Sequence, residues 1–152
     1  MFVRCAGRSD FAQAHGLYKE LRDAASVYGS ASARDHFKRL VTRSGSFLVV
    51  AESEQQLIAM VTLHILPNMT FEGGPYALIE NVVTSKELRG LGHGSAVMSF
   101  AAELAWSKGS KSIMLLAKLS ESAAQGFYEK QGYTARAHHA MTLRHKSVQL
   151  PI

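Results

Sequence analysis

Three glycines alternate with other residues in Arg89-Gly90-Leu91-Gly92-His93-Gly94-Ser95, and the residues that follow carry helical spacing. Such a run at a helix start leaves backbone N–H groups free to converge on one point, because no β-carbon blocks a close approach. The helix macrodipole adds partial positive charge there, and successive amides form an anion-binding nest. Arg89 could add a charged hydrogen bond and Ser95 a hydroxyl, so the chemistry expected is recognition of a phosphate. The glycines alone also fit a plain turn that lets a helix pack closely on a sheet.

Two nucleotide-binding patterns compete for the same residues. An ATP-type phosphate loop needs Gly-Lys-Ser/Thr at its helix end, and this loop has none. Gly90-Leu91-Gly92-His93-Gly94-Ser95 comes close to the dinucleotide fingerprint. It ends in Ser, however, does not directly follow its strand, and is succeeded after residues 112–117 by Lys118 where an acidic ribose ligand is expected.

The elements around the loop follow from hydrophobic periodicity. A short strand opens the chain at residues 2–5, and Asp10-Phe11-Ala12-Gln13 has the form of a capping box before a helix with Phe11, Ala14, Leu17, Tyr18 and Leu21 on one face. Ser32 is placed to cap a second helix that aligns Ala33, Phe37, Leu40 and Val41 and stops at Gly45. Residues 47–51 and 57–66 read as an antiparallel hairpin around a polar turn at 52–56, and residues 67–76 as a loop. Residues 77–84 read as a strand covered on both faces, interrupted by Glu80 and Asn81. After the glycine loop, Val97, Ala101 and Ala105 mark a helix closed by Lys108-Gly109. A short strand at 112–117, a helix at 121–130 stopped by Gly132, and an extended stretch at 133–144 complete the chain. The resulting order, β-α-α-β-β-β-α-β-α-β, predicts an α/β (α+β) domain with a central mixed sheet and helices on both faces.

At 152 residues the chain fits one domain, residues 1–152, and 47% hydrophobic with 19% charged residues is an ordinary globular balance. The start, Met1 to Arg8, lacks the apolar stretch of a secretory signal, and no apolar run reaches the roughly 20 residues that span a bilayer, so a cytoplasmic location without membrane attachment is expected. A net charge of +5 suits an anionic partner, but the basic residues are scattered, which argues against a nucleic-acid surface. The single cysteine, Cys5, is expected to be packing. His138 and His139 are adjacent on a strand and point to opposite faces, a poor metal pair, and no metal site is expected; His93 and His64 are expected to be structural, with a phosphate contact and the acceptor cleft as their alternatives.

Arg89-Gly90-Leu91-Gly92-His93-Gly94, flanked by Ile79-Glu80-Asn81-Val82-Val83-Thr84 and by Ala124, Phe127-Tyr128-Glu129-Lys130, Gly132-Tyr133, resembles the ordered motifs of the GNAT superfamily of N-acetyltransferases. His139-Ala140-Met141-Thr142-Leu143 is similar to the family's common last strand. The resemblance implies a mostly antiparallel sheet with acyl-CoA at the splay between strands 4 and 5. It implies that Leu88, Arg89, Gly90, Gly92, His93, Gly94 and Ser95 cradle the coenzyme's phosphates while the Val82 and Val83 backbone bonds its pantetheine arm. Many relatives carry Asn where Glu121 stands; here Glu121, or Ser120 beside it, meets that arm.

Acyl transfer to an amine needs a neutral nucleophile and a proton for the departing sulfur. By the resemblance, Tyr128 is the acid. Glu80 is the candidate base, because a carboxylate in an otherwise apolar strand is costly unless paired or used, and burial would raise its pKa toward a useful range. Its rival role is a structural or substrate-binding carboxylate paired with a cation. The Val82 or Val83 amide could meet charge building on the acyl oxygen. The acceptor would lie between residues 27–32 and 67–76, which contain Tyr28, Asn68, Phe71 and Glu72. The expected activity is therefore acetyl transfer from acetyl-CoA to a primary amine of a small molecule or amino-acid derivative. Its alternatives are a non-catalytic acyl-CoA sensor, acetylation of a protein N-terminus or lysine, and a dinucleotide-binding protein; a homodimer stays open.

Overall fold

The computed structural model describes residues 1–21, 30–117 and 122–135. The chain divides into two compact units, Met1–Leu115 and Leu116–Ile152. The first is built from β1 (Phe2–Cys5), α1 (Phe11–Leu21), α2 (Ser30–Thr42), β2 (Ser46–Ser53), β3 (Gln56–Leu66), β4 (Tyr76–Thr84), α3 (His93–Ser107) and β5 (Ile113–Leu115). The described part of the second is α4 (Ser122–Lys130) and the turn after it. The extended segment expected at 133–144, with His138 and His139, lies mostly outside the described residues.

The five strands form one sheet in the order β1-β2-β3-β4-β5, antiparallel except for the parallel pair β4 and β5. This is the mixed, mostly antiparallel sheet expected. Alternation sends Leu48, Val50, Met60 and Val83 to one face, where they pack with Phe11, Ala14 and Leu17 of α1 and Ala33 and Phe37 of α2. Val49, Ala51, Val61 and Leu63 turn to the other face, which α3 covers with its buried Val97, Met98, Ala101 and Ala105. Each fully buried side chain such as Leu48, Met60 or Leu63 contributes about 2 kcal/mol of transfer free energy.

Four local features depart from the sequence-based expectation, the first two because a distant partner competes. Asp10 does not cap α1 as half of a box with Gln13. Its carboxylate accepts the Gly7 amide (2.7 Å) and both terminal nitrogens of Arg4 (2.7 and 2.8 Å), while Arg4 also donates to Glu52 of β2. Gln13 instead accepts the Leu57 amide at 2.7 Å and donates to the Gln55 carbonyl at 3.2 Å. It thereby braces a hairpin turn whose two central residues, Glu54 and Gln55, sit at φ 50° and 63° without a glycine to ease them. Finally, α2 begins at Ser30, so Ser32 lies inside its first turn rather than capping it. Cys5, expected to pack, is exposed at the end of β1.

Candidate functional site

The register of β3 on β4 slips between Met60 and Thr62: Met60 faces Val83, but Thr62 faces Glu80. The extra residue bulges β4 at Asn81, which adopts φ 52°, a conformation asparagine tolerates better than most residues. Asn81 Nδ2 donates to Thr62 Oγ1 at 3.4 Å, and the Tyr18 hydroxyl lies 3.4 Å from the same oxygen. Burial pushes the Tyr18 phenol upward, with the nearby Glu80 charge acting in the same direction and the Thr62 hydrogen bond against it.

Pairing between β4 and β5 covers only Ala77, Leu78 and Ile79, so among the described residues β4 has no β5 partner beyond Ile79. The Ser85 amide donates to the Ile58 carbonyl of β3 at 2.9 Å. By the two-residue alternation of a strand, Val83 turns its backbone groups toward β3 as well, whereas Val82 and Thr84 turn theirs to the open edge. Thr84 is therefore an open-edge residue that the sequence motif did not single out. Its carbonyl accepts Arg89 Nε at 3.1 Å.

The segment from Ser85 to α3 carries the glycine run. A 3-10 turn, Lys86–Leu88, is closed by the Leu88 amide on the Ser85 carbonyl (2.9 Å) and tied to α1 by Glu20. Arg89 and Gly90 are exposed, and Leu88 is half-buried. Gly90 and Gly92 both lie in the left-handed region, at φ 78° and 86°, and a β-carbon added to either would meet nothing within 4 Å. Close packing of helix on sheet, the bland reading, therefore does not account for these two glycines. Gly92 is the N-cap of α3 and no side chain caps the helix there; the Ala96 amide returns to the Gly92 carbonyl at 3.0 Å. His93, Gly94 and Ser95 form the first turn, half-buried, with His93 Nδ1 3.0 Å from Met1 Sδ. This helix start presents amide N–H groups and the positive end of the helix dipole, an arrangement suited to an anion.

Glu80 corrects an expectation. Its side chain is 50% exposed rather than buried, and it stands 3.8 Å from His64 Nε2 on the face that carries α1. The strand is apolar around it, but Glu80 is not among the side chains that Val83 and Met60 bury with α1 and α2. His64 Nδ1 is in turn 2.9 Å from the hydroxyl of Ser46.

Tyr128 belongs to the second unit, on α4. It is half-buried, its ring is edge-on to Phe127 (5.2 Å between centroids) and to Tyr133 (6.2 Å), and its carbonyl accepts the Gln131 and Tyr133 amides. Burial, and secondarily Tyr128, push the Tyr133 phenol upward. Glu121, Ser120 and Lys118 lie outside the described residues, as do residues 27–29 of the expected acceptor region. In the loop at 67–75, Asn68 is committed to its own turn through the Met69 and Thr70 amides, and Phe71 is 70% exposed. A pocket of about 410 Å³ lined by Phe47, Ile65, Pro67, Pro75 and Lys108 opens at the end of the sheet where β4 starts, away from the glycine run.

Among the described residues no helix is long and apolar enough to cross a membrane, and no three His, Cys, Asp or Glu side chains gather as metal ligands. No curated protein matches the chain. Among solved structures, an Agrobacterium tumefaciens str. C58 protein whose name assigns it provisionally to the acetyltransferases is 31% identical, with a TM-score of 0.90 over 95% of this chain and 100% of that one. A Bacillus halodurans C-125 protein named as a transcriptional regulator is 25% identical, with a TM-score of 0.85 over 95% and 99%. A Trypanosoma brucei acetyltransferase is 26% identical, with a TM-score of 0.79 over 94% and 98%. Residues 13–133, which include the bulged β4, the glycine run and Tyr128, match the Acetyltransferase (GNAT) family. The chain belongs to that family.

Proposed function

We propose that this protein is an N-acetyltransferase that uses acetyl-CoA to acylate a primary amine of a small molecule or an amino-acid derivative by direct attack. The observation that carries this reading is the pair of left-handed glycines before α3, Gly90 and Gly92, whose absent β-carbons leave open space that no protein atom fills. Such a space, at the positive end of a helix, fits a pyrophosphate.

Bound there, acetyl-CoA supplies an activated thioester and an anionic handle. Leu88, Arg89, Gly90, Gly92, His93, Gly94 and Ser95 would hold that handle through amides, guanidinium and hydroxyl. The backbone of Val82, with Thr84, would hold the extended arm along the open edge of β4, whereas Val83 turns its backbone groups to β3. Glu121 is the residue that would take the place of the family's arm-binding asparagine. Glu80 would take the proton from the acceptor ammonium, and its exposure suits a base that must reach a substrate. The Tyr128 hydroxyl would give a proton to the sulfur as it leaves.

Titration with acetyl-CoA and, separately, with NADP(H) tests the cofactor, and free-thiol release across a panel of amines tests the reaction. The panel should include alkyl amines, amino-acid amides, and peptides presenting either an N-terminus or a lysine. We expect acetyl-CoA to bind, NADP(H) not to, and thiol to appear in an amine-dependent way. Absence of acetyl-CoA binding would sink the reading. Binding without thiol release for any amine would favour a sensor.

A further inference from the structure

Three polar side chains lie in line across the α1-bearing face of the sheet. Ser46 stands directly opposite His64 in the register of β2 on β3, and Glu80 stands one pair further along β4, opposite Thr62. The Ser46 hydroxyl is 2.9 Å from His64 Nδ1, and His64 Nε2 is 3.8 Å from Glu80 Oε2. Ser46 is buried (6% exposed), the His64 side chain is 25% exposed and Glu80 is 50% exposed, so the row runs from the interior out to the solvent. A hydroxyl buried among apolar neighbours is costly unless bonded, and its partner here is one nitrogen of an imidazole whose other nitrogen faces a carboxylate. An isolated surface ion pair needs no such backing.

We propose that His64 is a positioning and proton-relay residue for Glu80, held in register by Ser46. The inference rests on the acetyltransferase reading above. With Nδ1–H donating to Ser46 Oγ, Nε2 keeps its lone pair toward Glu80. The Glu80 carboxylate takes a proton from the substrate ammonium, breaking one N–H bond and leaving a neutral amine. The carboxylic acid then passes that proton to His64 Nε2, restoring the carboxylate and forming an imidazolium. Solvent removes the proton from the partly exposed ring. A movement of the carboxylate by about 1 Å brings the two groups within hydrogen-bonding distance. The other titratable group facing this row is Tyr18 of α1, whose hydroxyl meets Thr62 between His64 and the bulge; among the described residues no further charged side chain is bonded to the row.

The experiment compares kcat/KM for thiol release against pH in wild type, His64→Gln, Ser46→Ala and Ser46→Thr, with acetyl-CoA affinity measured on each. His64→Gln is expected to lower kcat/KM by about tenfold near neutrality and to displace the acidic limb of the profile, while acetyl-CoA affinity stays within twofold. Ser46→Ala should displace the limb in part, and Ser46→Thr, which keeps the hydroxyl, should restore it. Nitrogen-15 spectra of the imidazole give a readout independent of turnover and of any folding defect at position 64: Glu80→Gln should shift the His64 Nε2 resonance, and Ser46→Ala should change the ring's tautomer. Superposable pH profiles for wild type and His64→Gln, or His64 ring resonances indifferent to Glu80→Gln, would overturn the relay alone. Acetyl-CoA binding without thiol release by wild type on any amine would overturn the transferase reading and, with it, the relay.

Discussion

The Glu20 carboxylate of α1 accepts the Lys86 amide at 2.8 Å, and its other oxygen lies 3.4 Å from the Ser85 hydroxyl. One side chain on the helix that covers β3 and β4 thus fixes the 3-10 turn that leads into the glycine run. Removing it by Glu20→Ala leaves an exposed amide that water can satisfy, so the fold should lose about 1 kcal/mol or less. The loop, however, loses its anchor, and acetyl-CoA affinity is expected to fall about five- to tenfold with kcat little changed. Calorimetric titration against thermal melting separates the two effects; equal affinity in the variant would show that the anchor is irrelevant to the loop.

Gly92→Ala asks what the empty space is for. The left-handed backbone at φ 86° makes alanine cost about 1 kcal/mol, seen as a drop of a few degrees in Tm, with no added clash because nothing lies within 4 Å. If phosphate occupies that space, the β-carbon obstructs the ligand and affinity for acetyl-CoA should fall more than tenfold. A variant that melts lower yet binds normally would move the phosphate elsewhere.

The cluster of Arg4, Asp10 and Glu52 predicts an acid limit to stability. The Arg4 guanidinium, through its hydrogen bonds, holds the Asp10 carboxyl below the usual carboxylate range, against a smaller upward push from burial. A carboxyl whose folded pKa is lowered contributes its stability fully above its unfolded value, near pH 4, and loses it as pH falls through the folded value. Asp10→Asn should therefore cost about 2 kcal/mol at pH 7 and less at pH 2, measured by urea unfolding at both. A pH-independent cost would assign the effect to packing.

Tyr128→Phe removes one hydroxyl from a ring that also packs on Phe127 and Tyr133. Thiol release is expected to slow by at least about tenfold, with less loss for acyl donors whose thiol is more acidic and needs the proton less. Turnover indifferent to the substitution would remove Tyr128 as the acid.

Much of this was readable in one dimension because local physics dominates locally. The β-branched run at 57–66 and the apolar periodicity from Val97 to Ala105 each carry enough burial to become strand and helix wherever they dock. The glycine run announced a left-handed turn before α3 because only glycine takes φ near +80° at little cost. Other features resisted for the complementary reason. Asp10 and Gln13 have the types and spacing of a capping box, but Arg4 and the hairpin 42 to 44 residues away offer stronger partners. Glu80 looked buried because its strand neighbours are apolar, and only the folded chain reveals that its side chain is half exposed.

The residue types and their spacing therefore determined by themselves the described elements, their order and a glycine-rich turn before α3. The tertiary structure decided which side chains meet: Ser46 with His64 across 18 residues, His64 with Glu80 across a strand pair, Glu20 with Lys86 across 66 residues. Cross-strand neighbours depend on hairpin turns and on one-residue slips such as the one between Met60 and Thr62. A slip of that kind changes which side chains face one another without altering the composition or periodicity of either strand.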